Sequence, residues 1–227
     1  AYVDSIPMLI ISGNSKRDTL TEFHQLPELR QLGDQEANII KMVKPITKYS
    51  VLIKDSSLIR YELEKCISLC QSQRPGPCWI DIPIDIQSMD VEHENLKEYI
   101  PIKNKLDIVK LQNNISLLYT RLKESKRPLI YAGSGIRTSQ TLDKLIKLSD
   151  TYSIPIVTAW NSNDLIWNEY PLYAGRPGSV GDRAGNLALQ NCDFLLVLGC
   201  RLNIRLVTYN WVCFADKSWK CHVDIDN

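Results

Sequence analysis

Short apolar runs that stop at glycine or proline alternate along this chain with stretches apolar on one side only, and that alternation restricts the fold more than any other feature of its 227 residues. Met8-Leu9-Ile10-Ile11-Ser12-Gly13 reads as a buried strand ending at a glycine turn, and Cys78-Trp79-Ile80-Asp81-Ile82 as a strand closed by Pro83. Further strands are expected at Pro128–Ala132, Ile154–Thr158, Asp193–Leu198 and Cys221–Ile225. Between them lie helical patterns. Residues 56–72 align Leu58, Ile59, Leu63, Cys66, Ile67 and Cys70, and Arg74-Pro75-Gly76-Pro77 breaks that helix. Ile108, Leu111, Ile115, Leu118 and Leu122 follow the same period, and helices are also expected over 139–151 and 181–191. Strands alternating with helices give an α/β protein whose parallel sheets are flanked by helices.

Residues 88–107 interrupt the alternation. They are charged, with Glu92, Glu94, Lys97, Glu98, Lys103 and Lys105, and carry no sustained apolar period. The expected organisation is therefore a first unit over 1–87, a linker over 88–107 and a second unit over 108–227. The chain opens Ala1-Tyr2-Val3-Asp4 without an initiator methionine, so it is expected to be a piece of something longer, incomplete in the first unit and at the end of the second.

Several function classes recede. A formal net charge of +1 creates no field favouring nucleic acid or an anionic membrane. The longest apolar run, Phe194 to Leu198, falls far short of the ~18 residues that span a bilayer. The seven cysteines are odd in number and none pairs at C-x-x-C spacing, which points to buried free thiols in a reducing cytoplasm. His24, His93 and His222 have no metal-ligand spacing. Asp81 and Asp85 share no helix face and gain no acid–base role, and Trp160, Trp167, Trp211 and Trp219 read as packing residues.

The second unit carries the signal for a ligand. Gly133-Ser134-Gly135 follows a strand and opens a helix, a geometry that can hold a phosphate, although Thr138 departs from a full G-x-G-x-x-G. Gly175-Arg176-Pro177-Gly178 and Gly199-Cys200-Arg201 also follow strands. Parallel strands in one sheet end on one side, so these loops and Thr158 are expected to line one nucleotide-sized cleft, with arginines near the phosphates and Arg74 approaching from the first unit. Glycine is expected there to let a diphosphate approach the backbone.

The run Arg74-Pro75-Gly76-Pro77-Cys78-Trp79-Ile80-Asp81-Ile82-Pro83-Ile84-Asp85-Ile86-Gln87 resembles the end of the pyrimidine-binding domain in acetohydroxyacid (acetolactate) synthases and their thiamine-diphosphate relatives, whose pattern is R-P-G-P-V-x-[ILV]-D-[ILV]-P-K-D-V. Asp4-Ser5-Ile6-Pro7 with Ile11-Ser12-Gly13, Gly33-Asp34-Gln35-Glu36 and Pro45-Ile46-Thr47-Lys48 resemble that family's D-S-x-P…[ST]-G, F-Q-E and "piTK" segments. Downstream, Ala132-Gly133-Ser134-Gly135, Gly175 to Gly178, Gly199 to Arg201 and Asp224-Ile225-Asp226 fall in the order of its central domain. The resemblance implies a three-domain 2-oxoacid carboligase using thiamine diphosphate and magnesium, with subunits paired as a homodimer or homotetramer. It assigns Gln35 to the thiamine site, gives Arg74 a cofactor role, and suggests flavin adenine dinucleotide in the central cleft.

Two departures qualify what the resemblance implies. Ile84 stands where the family has lysine beside the substrate channel, so substrate choice is expected to differ. Leu202-Asn203-Ile204-Arg205 replaces F-D-D-R, leaving an amide, Asn203, at a flavin-site acid. The family's proton-relay glutamate and its Gly-Asp-Gly magnesium motif match no segment of these residues, so the polypeptide alone is expected to be inactive. Two other functions compete: a thiamine-dependent 2-oxoacid decarboxylase or acyltransferase, and a non-catalytic nucleotide-binding module.

Overall fold

A computed structural model describes residues 1–24, 26, 28–102 and 106–226, so Lys103 and Lys105 of the expected linker lie outside the described residues. The chain divides into two compact units, Ala1–Asn104 and Lys105–Asn227.

The first unit runs β1 (Met8–Asn14), α1 (Thr21–His24), α2 (Ile39–Val43), β2 (Tyr49–Leu52), α3 (Ile59–Gln71), β3 (Pro77–Pro83) and α4 (Ile84–Gln87). Its three strands are parallel in the order β1-β3-β2. Apolar residues of β3 and α3 meet because their spacings agree: Cys78 and Ile80 alternate along the strand, Cys66 and Cys70 lie one turn apart on the helix, and all four are buried together. Full burial of a side chain such as Ile80 stabilises the fold by about 1.5–3 kcal/mol. Lys48 ends α3 by donating from Nζ to the carbonyls of Leu69 and Ser72, a cation set against the negative end of a helix.

The second unit runs α5 (Ile108–Glu124), β4 (Pro128–Ala132), α6 (Gly135–Thr138), α7 (Leu142–Tyr152), β5 (Ile156–Thr158), β6 (Tyr173–Gly175), α8 (Arg183–Asn191), β7 (Phe194–Leu198), α9 (Ile204–Val207) and β8 (Trp219–Val223). All five strands are parallel, in the order β6-β5-β4-β7-β8. The central strands are apolar throughout because both faces are covered. Leu129, Tyr131, Leu195 and Val197 join one core; Ile130, Ala132, Phe194 and Leu196 join the other.

The structure refines the expected elements in several places. Two strands absent from the sequence reading, β2 and β6, are only four and three residues long. The helix expected over 139–151 is α7, Leu142–Tyr152, with the separate short α6 before it, and the last strand runs Trp219–Val223 instead of 221–225. Residues 96–99 are packed along α3, with Arg60 paired to Glu98 at 2.6 Å and the Tyr99 amide donating to Glu64 at 2.8 Å. Five cysteines are buried, Cys221 is half-buried and Cys213 is exposed; all seven are free thiols. Trp219 stacks on Phe194 and Trp167, although half exposed, packs edge-on against Tyr170; Trp160 and Trp211 are exposed as well. Among the described residues no helix is long and apolar enough to cross a membrane.

Candidate functional site

The ends of β4, β5, β6 and β7 lie along one edge of the second unit's sheet because the strands are parallel, although the register shifts once between β5 and β6. Gly133 follows β4, Thr158 ends β5, Gly175 ends β6 and Gly199 follows β7. The loops after β4 and β7 touch. The Gly133 amide donates to the Leu198 carbonyl and the Gly135 amide to the Gly199 carbonyl, each at 2.9 Å.

That contact explains the glycines in a way the sequence reading did not. A methyl group on Gly133 would lie 2.2 Å from the Gly199 carbonyl oxygen, and one on Gly135 would lie 2.6 Å from the Gly199 α-carbon. Small residues are needed here so that two loops can pack on each other. The amides are also committed: Gly135 donates to Gly199, and Ile136 donates to Gly133 at 3.1 Å. Thr158 is fully buried, and its hydroxyl pairs with that of Tyr173 at 3.1 Å. The half-buried Ser134 hydroxyl accepts a long contact from the Asn161 side chain at 3.5 Å.

A single carboxylate organises the loop after β6. Asp182 caps α8 through the Gly185 amide at 2.7 Å and accepts the Arg176 amide at 2.8 Å. It occupies the space a side chain on Gly175 would need, and Gly175 sits at φ +105°. The Arg176 guanidinium lies 3.8 Å from the same carboxylate, and the Gly178 amide donates to Asn186. The sequence reading named Arg176 and passed over Asp182, although an aspartate just before a helix is a capping signal. Asn203 is likewise a cap, its side chain accepting the Arg205 amide at 3.0 Å at the start of α9. Arg201 is exposed on the loop leading to it.

Beside these loops lies an open groove of about 400 Å³. Trp160, Arg176, Val180, Asp182 and Arg205 are among the residues that line it. Of the lining residues the sequence reading had Gly178 and Arg176 but neither Trp160 nor Arg205. Nothing in local periodicity links positions 160 and 205; the sheet order does.

In the first unit Gln35 is exposed and holds φ +62° in the turn before α2. Its neighbour Glu36 fixes that turn by accepting the Thr21 amide and hydroxyl and the amides of Leu32 and Gly33. Burial raises the Glu36 pKa, but these hydrogen bonds outweigh it and hold the carboxyl below its ordinary value. Arg74 follows α3 and donates from Nε to the Ser5 hydroxyl at 2.8 Å. Asp81 is buried and accepts from Ser12 and Asn14, each at 2.6 Å, while Asp85 pairs with Arg17 at 2.6 Å, so both acids are structurally engaged. Ile84 opens α4 and is half exposed. Among the described residues no group of three or more His, Cys, Asp or Glu is placed to hold a metal ion.

Residues 115–227 match the family described as thiamine pyrophosphate enzyme, central domain. Over its whole length the chain is 31% identical to a probable acetolactate synthase large subunit of Methanocaldococcus jannaschii, covering 37% of that protein. It is also 30% identical to the acetolactate synthase large subunit of Lactococcus lactis subsp. lactis and 31% identical to that of Buchnera aphidicola subsp. Schlechtendalia chinensis, covering 38% of each. The chain thus spans less than two fifths of the length of these curated relatives.

Proposed function

The chain belongs to the thiamine pyrophosphate enzymes, and from that premise we propose that it is part of a carboligase of the acetolactate synthase type, acting on 2-oxoacids. The observation that carries this reading is similarity over the whole chain to acetolactate synthase large subunits, including the pyrimidine-domain run Arg74–Gln87. Thiamine diphosphate, when bound, supplies the carbanion that attacks a 2-oxoacid. Gln35, in the turn fixed by Glu36, and Arg74 are the first-unit residues proposed to face it. The donor set described above does not fit magnesium, so the diphosphate and its metal are proposed to be held by residues other than these, and no step is assigned to them. The working enzyme is proposed to be a cytoplasmic homodimer or homotetramer with no nucleic-acid or membrane partner.

Ile84 favours a second reading within the family. It puts an aliphatic side chain where the resemblance expects a cation beside the 2-oxoacid channel, and that change suits a decarboxylase or acyltransferase with a different acceptor. The experiment is to supply pyruvate, thiamine diphosphate and magnesium both to the longest polypeptide containing these residues and to residues 1–227 alone. Acetolactate from the former and none from the latter is expected. Absence of any thiamine-dependent consumption of a 2-oxoacid by the longer polypeptide would overturn the proposal.

The flavin reading rests on side chains. The amides of Gly135 and Gly178 are donated within the protein, and the side chains proposed to hold a flavin dinucleotide are Trp160, Arg176 and Arg205 at the groove, with Arg201 on the adjoining loop. Gly133, Ser134, Gly135, Thr158, Gly175, Gly178, Gly199 and Asn203 are proposed to shape that edge. Titration should quench flavin fluorescence and Arg201→Ala should weaken the binding. An unquenched titration removes flavin from the proposal and leaves the thiamine reading standing.

A further inference from the structure

Two backbone carbonyls bracket Gln35 and Glu36, and residues at the end of β1 reach both of them. The Ser15 hydroxyl donates to the Asp34 carbonyl at 2.7 Å, and the Asn14 side-chain amide donates to the Ala37 carbonyl at 3.0 Å. Asn14 is itself held in place. Its Nδ2 also donates to the Asp81 carboxylate at 2.6 Å, and its Oδ1 accepts the Ser15 amide at 2.9 Å. The other oxygen of Asp81 accepts the Ser12 hydroxyl at 2.6 Å, and that hydroxyl accepts the Trp79 Nε1–H at 2.8 Å. Asp81 is 1% exposed, and Ser12 stands opposite it where β1 pairs with β3, so the sheet itself fixes the carboxylate. The partners of Glu36, by contrast, are Thr21, Leu32 and Gly33, which belong to the same connection between β1 and α2. Glu36 folds that connection on itself; Asn14 and Ser15 tie it to the sheet.

We propose that Asn14 is a positioning residue for Gln35, holding the turn at the end of β1 in the setting that presents Gln35 to the cofactor; this rests on the reading above that Gln35 faces thiamine diphosphate. Gln35 holds φ +62°, a left-handed conformation that a residue other than glycine keeps only where its surroundings fix it. Release of the flanking carbonyls lets that backbone relax to negative φ and re-aims the side chain. Asp81 acts one step further back. A primary amide can present either its oxygen or its N–H groups to a neighbour. With a carboxylate on the Nδ2 side, the amide of Asn14 is set so that an N–H, and not the oxygen, meets the Ala37 carbonyl. Asp81 thereby serves the site without touching it and without exchanging a proton.

The test has two arms. In the 227-residue chain, Asn14→Ala should speed amide exchange at Leu32, Gly33 and Glu36 by about two- to tenfold, the range for losing one hydrogen bond, while amides within β1 and β3 keep their wild-type protection. Asn14→Asp keeps the size but sets a second carboxylate against Asp81 and the Ala37 carbonyl, and should speed exchange at least as much. In the longest polypeptide containing these residues, Asn14→Ala should lower kcat for thiamine-dependent consumption of pyruvate by about ten- to a hundredfold. It should lower it no further when Gln35 is already alanine. Losses that multiply in the double variant would show that Asn14 acts through something other than Gln35 and would overturn the proposal. Exchange that stays at the wild-type rate, or rises equally throughout β1 and β3, would overturn it as well. Full turnover in Gln35→Ala alone would instead remove Gln35 from the cofactor reading, and the positioning role would fall with it. Should Asn14→Ala fail to fold, Ser15→Ala, which removes the hydrogen bond to Asp34 and leaves Asn14 in place, carries both arms.

Discussion

Gly135 and Gly199 are packed backbone to backbone: the Gly135 amide donates to the Gly199 carbonyl at 2.9 Å, and a methyl group on either would come within 2.6 or 2.7 Å of the other's α-carbon. The neighbours are main-chain atoms, which cannot rotate away. Gly135→Ala and Gly133→Ala should each destabilise the second unit by about 1–3 kcal/mol, the range for forcing extra volume into a packed site. Gly199→Ala adds a left-handed backbone, φ +55°, to the same crowding. Urea unfolding of the ligand-free chain measures this. If the glycines served only to admit a ligand, the ligand-free stability of the alanine variants would equal that of the wild type.

Asp182 accepts the amides of both Gly185 and Arg176 and faces the Arg176 guanidinium. Asp182→Ala should cost about 1–2 kcal/mol, as expected for losing a helix cap, and should raise amide exchange at Arg176 and Gly185 together. Asp182→Asn keeps an oxygen acceptor and should recover part of the loss. Exchange that rises at Gly185 alone would show that the loop and the helix are not held by one side chain.

Glu36 predicts an acid limb in the stability of the first unit. Its folded pKa is depressed below the ordinary carboxyl value of 4.5, so the folded state binds this proton less readily than the unfolded chain. The stabilisation is therefore present above that value and is lost as pH falls through the lower folded value. Glu36→Gln should lower stability at neutral pH and flatten its decline below about pH 4.5. A variant whose decline is as steep as the wild type's would place the acid sensitivity in other carboxylates, such as Asp85 beside Arg17.

What the sequence made legible, and what it hid, follows from the range of the interactions. Pro128–Ala132 was read correctly because a strand buried on both faces is continuously apolar. By contrast β2 and β6 contain four and three residues, too few to display a period, and depend on pairing with β3 and β5. The shared edge of Gly133, Thr158, Gly175 and Gly199 followed from topology alone. The reason for the glycines did not, since the atoms crowding Gly133 belong to residues 199 and 200. The exposure of Trp160 depends on how the loop after β5 lies beside the loop after β6, which no local pattern encodes.

The stretch expected to join the two units divides sharply at its middle. Up to residue 99 it is anchored: Glu98 pairs with Arg60, the Tyr99 amide donates to Glu64, and the Tyr99 ring packs edge-on against Tyr61 at 5.5 Å. Beyond it, Ile100, Ile102 and Leu106 are 80%, 88% and 76% exposed, apolar side chains with little to cover them. A protease needs an exposed backbone segment that can enter its active site. Thermolysin, which favours large apolar residues, should therefore cut first around residues 100–106 and spare residues 88–99, although the latter looked equally linker-like in composition. Mass spectrometry of the early digest should find a stable piece beginning near residue 105 and extending to the end of the chain, because all five strands described in the second unit's sheet follow Ile108. Arg60→Ala removes one anchor and should extend early cleavage back toward Met89. Early cuts within α7 or α8, with residues 1–99 surviving alone, would mean that the second unit is the less stable of the two and would refute the expectation.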